Sequence, residues 1–362
     1  MDRNARRLFI IALVIAIIGL LTIYSTSHKD GAIFFRQFLW LFFGIGAFFI
    51  FYNFNYRKFY DLAFGFYLLS IVFLVLVLVS GRVKLGAQRW LELGVFNFQP
   101  SELAKFSVIL CLARYFSQKD AYNVKLRIRD TGFFRTVFIP ALLVAFPALL
   151  IMQQPDLGTA IIFIFVFIAL IFVAGVKKRY VFSLLALNLI SLPVAWHFLK
   201  DYQKERLLVF INPNLDPLGA GYTVIQSKIA VGSGRLFGLG WLSGTQNTLN
   251  FLPERHTDFI FSCFAESMGL IGSFILLAIF YMLFNECIKI IYSTKDPFGR
   301  LLIIGIMSVI FFQVVVNICM TIGVMPVVGI PLPLVSYGGT SMFMTFMGLG
   351  IIGNISKRRM VF

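Results

Sequence analysis

The sequence predicts an all-α polytopic membrane protein of about ten transmembrane helices, on three observations. Hydrophobic residues make up 59% of the 362 and charged residues only 13%, about half the charged share of a soluble domain. The apolar residues, 43 of them Phe, gather into runs of bilayer length. Basic residues concentrate in every second loop, the pattern set by the positive-inside rule. Mean hydropathy of +0.87 agrees.

Run lengths and breakers place the spans at about 8–26, 33–53, 62–80, 101–117, 134–153, 157–174, 180–199, 259–288, 300–323 and 336–355. The first run, Leu8 to Thr26, lacks a small-residue cleavage pattern and is long enough to span, so it reads as a helix and not as a signal peptide. With the N-terminus in the cytoplasm, Arg3, Arg6, Arg7, Arg57, Lys58, the stretch from Lys119 to Arg135, Lys177 to Arg179, Lys289 to Arg300 and Lys357 to Arg359 all face the cytoplasm. Both termini are then cytoplasmic, and one long extracytoplasmic loop, about 200–258, joins helices 7 and 8. Within it, Tyr222 to Val231 has the length and mixed pattern of an interfacial helix.

The stretch Gly232 to Gly244 that follows has glycines but no preceding strand and no Gly-Lys-Ser/Thr. It fails as a nucleotide loop and reads as a flexible, close-packed turn, with phosphate contact by Arg235 as the second reading. Neither a repeat nor a pair of interrupted helices of the transporter kind is visible. One transmembrane domain over 1–362 is expected.

Net charge of +16 would suggest nucleic acid in a soluble protein, but topology accounts for most of it, and no nucleic acid is expected. Cys111, Cys263, Cys287 and Cys319 lie far apart without ligand spacing, so neither a disulfide framework nor a metal motif follows. The exceptions to the charge rule are informative. Arg82, Lys84 and Arg89 in one outer loop, and Lys200, Lys204, Arg206, Lys228, Arg235 and Arg255 in the long one, place cations on the wrong side. Either an external anionic ligand or membrane lipid headgroups would explain them.

Four constellations share that outer face. Asn97-Phe-Gln-Pro-Ser-Glu-Leu-Ala-Lys105 opens the fourth span, with Glu102 and Lys105 on one helical face; they form a structural ion pair or part of a site. Gln153-Gln-Pro-Asp-Leu-Gly-Thr159 is a short turn in which Asp156 either caps the sixth helix or joins that site. Pro326 to Ser341 is uncharged and dense in Pro and Gly; rigid packing is its first reading, and substrate contact by hydroxyls such as those of Ser336 and Tyr337 its second. The last is Asn250-Phe-Leu-Pro-Glu-Arg-His-Thr-Asp-Phe-Ile260. Here Thr257 or Asp258 is expected to cap the eighth span, and Asp258 in an apolar surround would also make a base. Glu266 lies two helical turns deeper, roughly 12 Å at 1.5 Å per residue.

These motifs, Gln99-Pro-Ser-Glu-Leu-Ala-Lys105, Gln154-Pro-Asp-Leu-Gly-Thr159, Thr245-Gln246, Leu252-Pro-Glu-Arg-His-Thr-Asp-Phe-Ile-Phe261 and Gly329-Ile-Pro-Leu-Pro-Leu-Val-Ser-Tyr-Gly-Gly339, resemble those of the SEDS proteins of shape, elongation, division and sporulation. The likeness covers nearly the whole chain and is nearest to the elongation branch. It implies a SEDS-type domain of ten spans in the bacterial cytoplasmic (inner) membrane. The implied activity is a peptidoglycan glycosyltransferase that polymerises lipid II into a growing glycan strand, with a class B penicillin-binding protein, a transpeptidase, and the elongation complex as partners.

By the same resemblance Asp258 matches the essential aspartate, Glu102, Lys105 and Asp156 match cavity positions, and Gln246 and Arg255 match motif positions. The chemistry fits. A lipid-linked sugar diphosphate needs cations for its leaving group and one base for the acceptor hydroxyl. Asp258 is the expected base, with diphosphate held by some of Arg82, Lys84, Arg89, Lys105, Lys228, Arg235 and Arg255. The need for a divalent cation is left open, and a lipid II flippase or a non-catalytic scaffold are the alternatives.

Overall fold

The computed structural model describes residues 1–27, 31–84, 87–93, 96–121, 133–177, 179–183, 186, 190, 193, 196–197, 199–217, 219–244 and 251–358. Helices α1 (Arg3–Thr26), α2 (Gly31–Asn53) and α3 (Lys58–Ser80) follow the first three expected spans. Helix α4 (Pro100–Ala121), α5 (Ile139–Gln153, led in by a π-helical turn, Phe134–Phe138) and α6 (Leu157–Val173) supply the next three. The outer loop contains α7 (Asp201–Ile211) and α8 (Ala220–Ser233), the latter enclosing the expected interfacial helix. Helices α9 (Ile260–Ser293), α10 (Pro297–Thr321) and α11 (Gly339–Arg358) complete the bundle. The expected seventh span, 180–199, falls in part outside the described residues.

Six of these segments, α1, α2, α3, Phe134–Gln153, α9 and α10, are long and apolar enough to cross a membrane, counting the described residues. Helices α4 and α11 are less apolar for a physical reason. Residues 104–113 of α4 and 345–356 of α11 are buried by their neighbours, so these helices meet protein and not lipid along most of their length. Helix α11 packs along α2, α3 along α4, α1 along α9, and α10 against both α4 and α6.

Three features depart from the sequence reading. The outer link between α3 and α4 is a small antiparallel sheet, β1 (Arg82–Lys84), β2 (Ala87–Leu93) and β3 (Phe96–Phe98), in the order β1-β2-β3. Each connection is two residues long and contains a glycine, Leu85-Gly86 and Gly94-Val95, a hairpin signal present in the sequence.

Helix α9 is interrupted, where an unbroken span was expected. Gly269 has φ +68° and ψ −166°, a conformation open only to glycine, and a Cβ there would lie 2.6 Å from the Leu236 carbonyl. The loop after α8 feeds the gap. Leu239 and Gly240 donate to the carbonyls of Glu266 (2.9 Å) and Ser267 (3.2 Å), while Leu270 and Ile271 donate to those of Arg235 (2.9 Å) and Leu236 (3.1 Å). A helix break in a bilayer is tolerated when protein re-satisfies the freed backbone groups. The glycine stretch expected to be a flexible turn is thus a fixed insert.

Third, the segment from Pro326 to Gly338 is largely enclosed by the protein and not an outer loop, which agrees with its first reading as rigid packing. Ile330, Leu332, Leu334 and Val335 are each no more than 2% exposed, and Gly158 at the head of α6 abuts the Val328 carbonyl so closely that a Cβ would sit 2.5 Å from it. Irregular backbone at this depth again survives because it is enclosed by protein.

Candidate active site at the outer face

The segment from Glu254 to Asp258 is held against the Pro-rich segment by backbone groups. Tyr337 donates its N–H to His256 O (2.8 Å), and the Ser336 hydroxyl donates to Thr257 O (2.6 Å) while accepting from Leu332 N (2.8 Å). Asn317, fully buried near the outer end of α10, donates from Nδ2 to both Asp258 O and Ile330 O at 2.8 Å. From the other side, Thr26 of α1 meets His256 Nδ1 at 2.8 Å. Four bonds to this turn, from the Pro-rich segment, α10 and α1, leave it little freedom.

The expected capping role is overturned. The N-cap of α9 is Phe259, without a side-chain cap bond. Thr257 instead turns its hydroxyl back to Glu254 O (3.2 Å) and Oε2 (3.0 Å). The Asp258 carboxylate lies beside Gly329, where a Cβ would stand 3.3 Å from Oδ2. Asp258 is half-buried, and its pKa is raised to about 6, first by burial and then by Glu254. Arg89 and Arg206 oppose the rise, and Asp156 adds to it.

Gly329 sits at φ +72°, in the left-handed region. A side chain there would carry about 1–2 kcal/mol of backbone strain and crowd the carboxylate. Gly329→Val is expected to lower kcat at least tenfold while membrane insertion persists, as measured by glycan synthesis with the purified protein.

Asp156 does cap α6, accepting from Thr159 N (3.1 Å) and Thr159 Oγ1 (2.9 Å). It is also the anchor of Arg89, which reaches from β2 with Nε 3.9 Å from Oδ2 and donates to the carbonyls of Gln154 (3.4 Å) and Pro155. The capping reading of Asp156 is borne out by these hydrogen bonds, and its charge is also among those that act on Asp258.

Glu102 and Lys105 form a buried pair at 2.8 Å, with 8% and 5% exposure. They line a narrow cleft of about 40 Å³ between α4, α10 and α11, with Ile306, Gln313 and Thr345 among its walls. Gln313 is one helical turn, about 6 Å, inward of Asn317, so the cleft lies beneath the turn that carries Asp258.

The remaining candidates are dispersed. Lys228 is exposed and lies against Gly323, and Arg235 is exposed beside the α9 break. Arg255 is half-buried, its carbonyl facing Cys263 Sγ at 4.0 Å. Ser336 has its hydroxyl engaged within the fold, and Tyr337 is half-buried. Gln246 and the side chains of Arg82 and Lys84 lie outside the described residues. Arg206 on α7 was not among the expected site residues. Its only signal in sequence is membership of the outer cation group, because α7 must fold back before it approaches Asp258. Among the described residues no three His, Cys, Asp or Glu side chains gather as a metal set.

Fold and geometry together define a helical, multi-pass membrane protein with a set of buried and half-buried charged groups around the turn that carries Asp258. The sequence matches the FtsW/RodA/SpoVE cell cycle protein model over residues 5–360, and the chain belongs to that family. It is 45% identical to the peptidoglycan glycosyltransferase MrdB of Escherichia coli strain K12 over 294 residues, 81% of this chain and 77% of MrdB. Among solved structures it resembles a chain of a peptidoglycan synthase complex that coordinates polymerization and crosslinking, with TM-score 0.82, 32% identity and 97% of each chain covered. The rod shape determining protein RodA of Thermus thermophilus aligns with TM-score 0.72 and 29% identity, over 97% of this chain and 96% of RodA. Like these, the chain is a multi-pass protein of the inner membrane.

Proposed function

We infer that the chain is a peptidoglycan glycosyltransferase of cell elongation that polymerises lipid II, with Asp258 as its general base. The observation that carries the role of Asp258 is its release from capping: the carboxylate stands free of the α9 backbone, beside Gly329, with its pKa raised to about 6. A base of that strength is ionised at neutral pH and strong enough to accept a proton in the transition state.

Asp258 takes the proton from the acceptor N-acetylglucosamine 4-hydroxyl as that oxygen bonds to C1 of the donor sugar. The C1–O bond to diphosphate breaks on the opposite face, its electron pair leaves with the polyprenyl diphosphate, and a β-linkage results by inversion. The leaving group needs cations more than a proton donor, and Arg89 and Arg206 are the guanidiniums whose fields reach Asp258. The Glu102–Lys105 cleft beneath is the place for the substrate's membrane-proximal part.

The test is polymerisation of lipid II by the purified protein in detergent, with and without a class B transpeptidase and a divalent cation. Detergent removes the second compartment, so glycan polymer distinguishes an enzyme from a flippase. The pH dependence follows from the raised pKa. Below about pH 6 Asp258 is protonated and the base is lost, so kcat/KM is expected to fall about tenfold per pH unit on the acid side and to level off above pH 7. A profile flat down to pH 4.5 would remove Asp258 from the role.

A further inference from the structure

We propose that Arg206 of α7 is the diphosphate-binding residue that receives the leaving group; this rests on the glycosyl-transfer reading above. Two guanidiniums on different elements, Arg89 on β2 and Arg206 on α7, act on the Asp258 carboxylate through their charge, and Arg206 bonds Val327 O, two residues before the Gly329 that abuts that carboxylate. Their situations differ. Arg89 is committed, with its Nε beside Asp156 and its Nε and Nη2 turned to the carbonyls of Gln154 and Pro155.

Arg206 is exposed and spends one donor, Nη1, on a long contact of 3.4 Å with Val327 O. No carboxylate lies within ion-pair distance of it among the described residues. A guanidinium has five N–H donors in a planar fork, so most of this one is open to a ligand. Tyr202, one turn earlier on α7, has its ring 5.9 Å from the guanidinium carbon, a contact that limits how far the side chain can swing. Val327 belongs to the same buried segment as Gly329, which abuts Asp258, so the single bond Arg206 does make directs it to the reacting centre.

Charge movement during transfer gives the arrangement its use. Before reaction the negative charge near Arg206 includes Asp258. As Asp258 takes up the acceptor proton it becomes neutral, while the breaking C1–O bond puts one more negative charge on the polyprenyl diphosphate. A cation whose field covers both groups loses one anionic neighbour as it gains the other, so it favours the products' charge distribution. The groups around Asp258 are Glu254 on its own turn, Asp156 from the α6 turn, Arg89 and Arg206. Of these, Arg206 is the cation free to make the exchange.

The experiment uses full-length protein, with its transpeptidase if activity requires it, and compares the parent with Arg206→Gln, Arg206→Lys and Asp258→Asn. Inorganic diphosphate is the probe, titrated as an inhibitor of lipid II polymerisation. One charge-assisted contact accounts for a roughly tenfold effect or more. Arg206→Gln is therefore expected to raise the half-inhibiting diphosphate concentration about tenfold, lower kcat/KM comparably, and move the acid limb of the pH profile upward because Asp258 loses a cation. Arg206→Lys, which keeps the charge without the fork, should recover the pH limb and only part of the diphosphate binding.

A merely structural Arg206 would lower activity without moving the pH limb or the diphosphate titration, and that result overturns the inference. So does a parent enzyme that diphosphate fails to inhibit. Asp258→Asn separates the two levels: a fully active Asp258→Asn protein sinks the base assignment itself, whereas an inactive one beside an unchanged Arg206→Gln removes only the role of Arg206.

Discussion

Asp258→Asn is expected to abolish lipid II polymerisation, by a factor of about 10²–10⁴ for loss of a general base, while the protein remains folded. The two halves of that outcome have separate causes. The main chain of Asp258 is fixed by Asn317 through its carbonyl, a bond that the substitution leaves untouched. The side chain caps nothing, so an amide of the same shape removes no helix contact.

Stability should even rise slightly at neutral pH. A carboxyl whose folded pKa is raised to about 6 contributes stability below its unfolded pKa and loses that contribution as pH rises through 6. At pH 7 the ionised group opposes folding, and asparagine relieves this. Thermal unfolding in detergent at pH 7 and pH 5 checks the sign: the variant should exceed the parent at pH 7 and approach it at pH 5. Full polymerase activity in Asp258→Asn would remove the base.

Lys105→Met is expected to be the most destabilising of the single substitutions considered. It leaves the Glu102 carboxylate buried at 8% exposure without the ammonium that sits 2.8 Å away. Removing one partner of a buried pair costs about 3–5 kcal/mol, because the other charge stays out of water uncompensated. The pair taken out together is a different matter. Glu102→Gln with Lys105→Met removes both charges, and most of the lost stability should return, since a buried pair often contributes little net. Melting temperatures of the two single variants and the double variant form the cycle that measures it. A double variant whose loss equals the sum of the two single losses would show that the pair is not coupled. Polymerisation should stay low in all three if the cleft beneath Asp258 receives substrate.

The transmembrane architecture was legible because lipid imposes a simple rule on sequence. A helix facing hydrocarbon must be apolar along about 20 residues, and α1, α2, α3, α9 and α10 announce themselves that way. The same rule marked the exceptions. Glu102, Lys105, Asp156 and Asp258 stood out because charges near hydrocarbon are costly; in the structure Glu102 and Lys105 pair in a cleft between helices, and Asp156 is one of the charges that act on Asp258.

The positive-inside asymmetry similarly exposed an outer group of cations, but the asymmetry is a property of the whole face. It could not separate Arg89 and Arg206, which reach Asp258, from Lys228 and Arg235, which lie beside Gly323 and the α9 break.

Apolar periodicity also says nothing about where a helix opens. Gly269 reads as an ordinary residue in a long hydrophobic run, and only the backbone donors and acceptors from Arg235 to Gly240 make its break affordable in a membrane. Likewise Thr257 and Asp258 had the residue types of a helix cap. Local sequence favours that cap, and tertiary bonds from Ser336, Tyr337 and Asn317 turn the segment away from it.

What the sequence by itself determined was the solvent of each segment: which runs meet lipid, which loops meet the cytoplasm, and which charges are too expensive to be idle. What only the tertiary structure decided was which of those charges act on one another, because the segments carrying Arg89, Asp156, Arg206 and Asp258 are brought together by long-range hydrogen bonds and by the burial of the Pro-rich segment, whose partners lie far away in the chain.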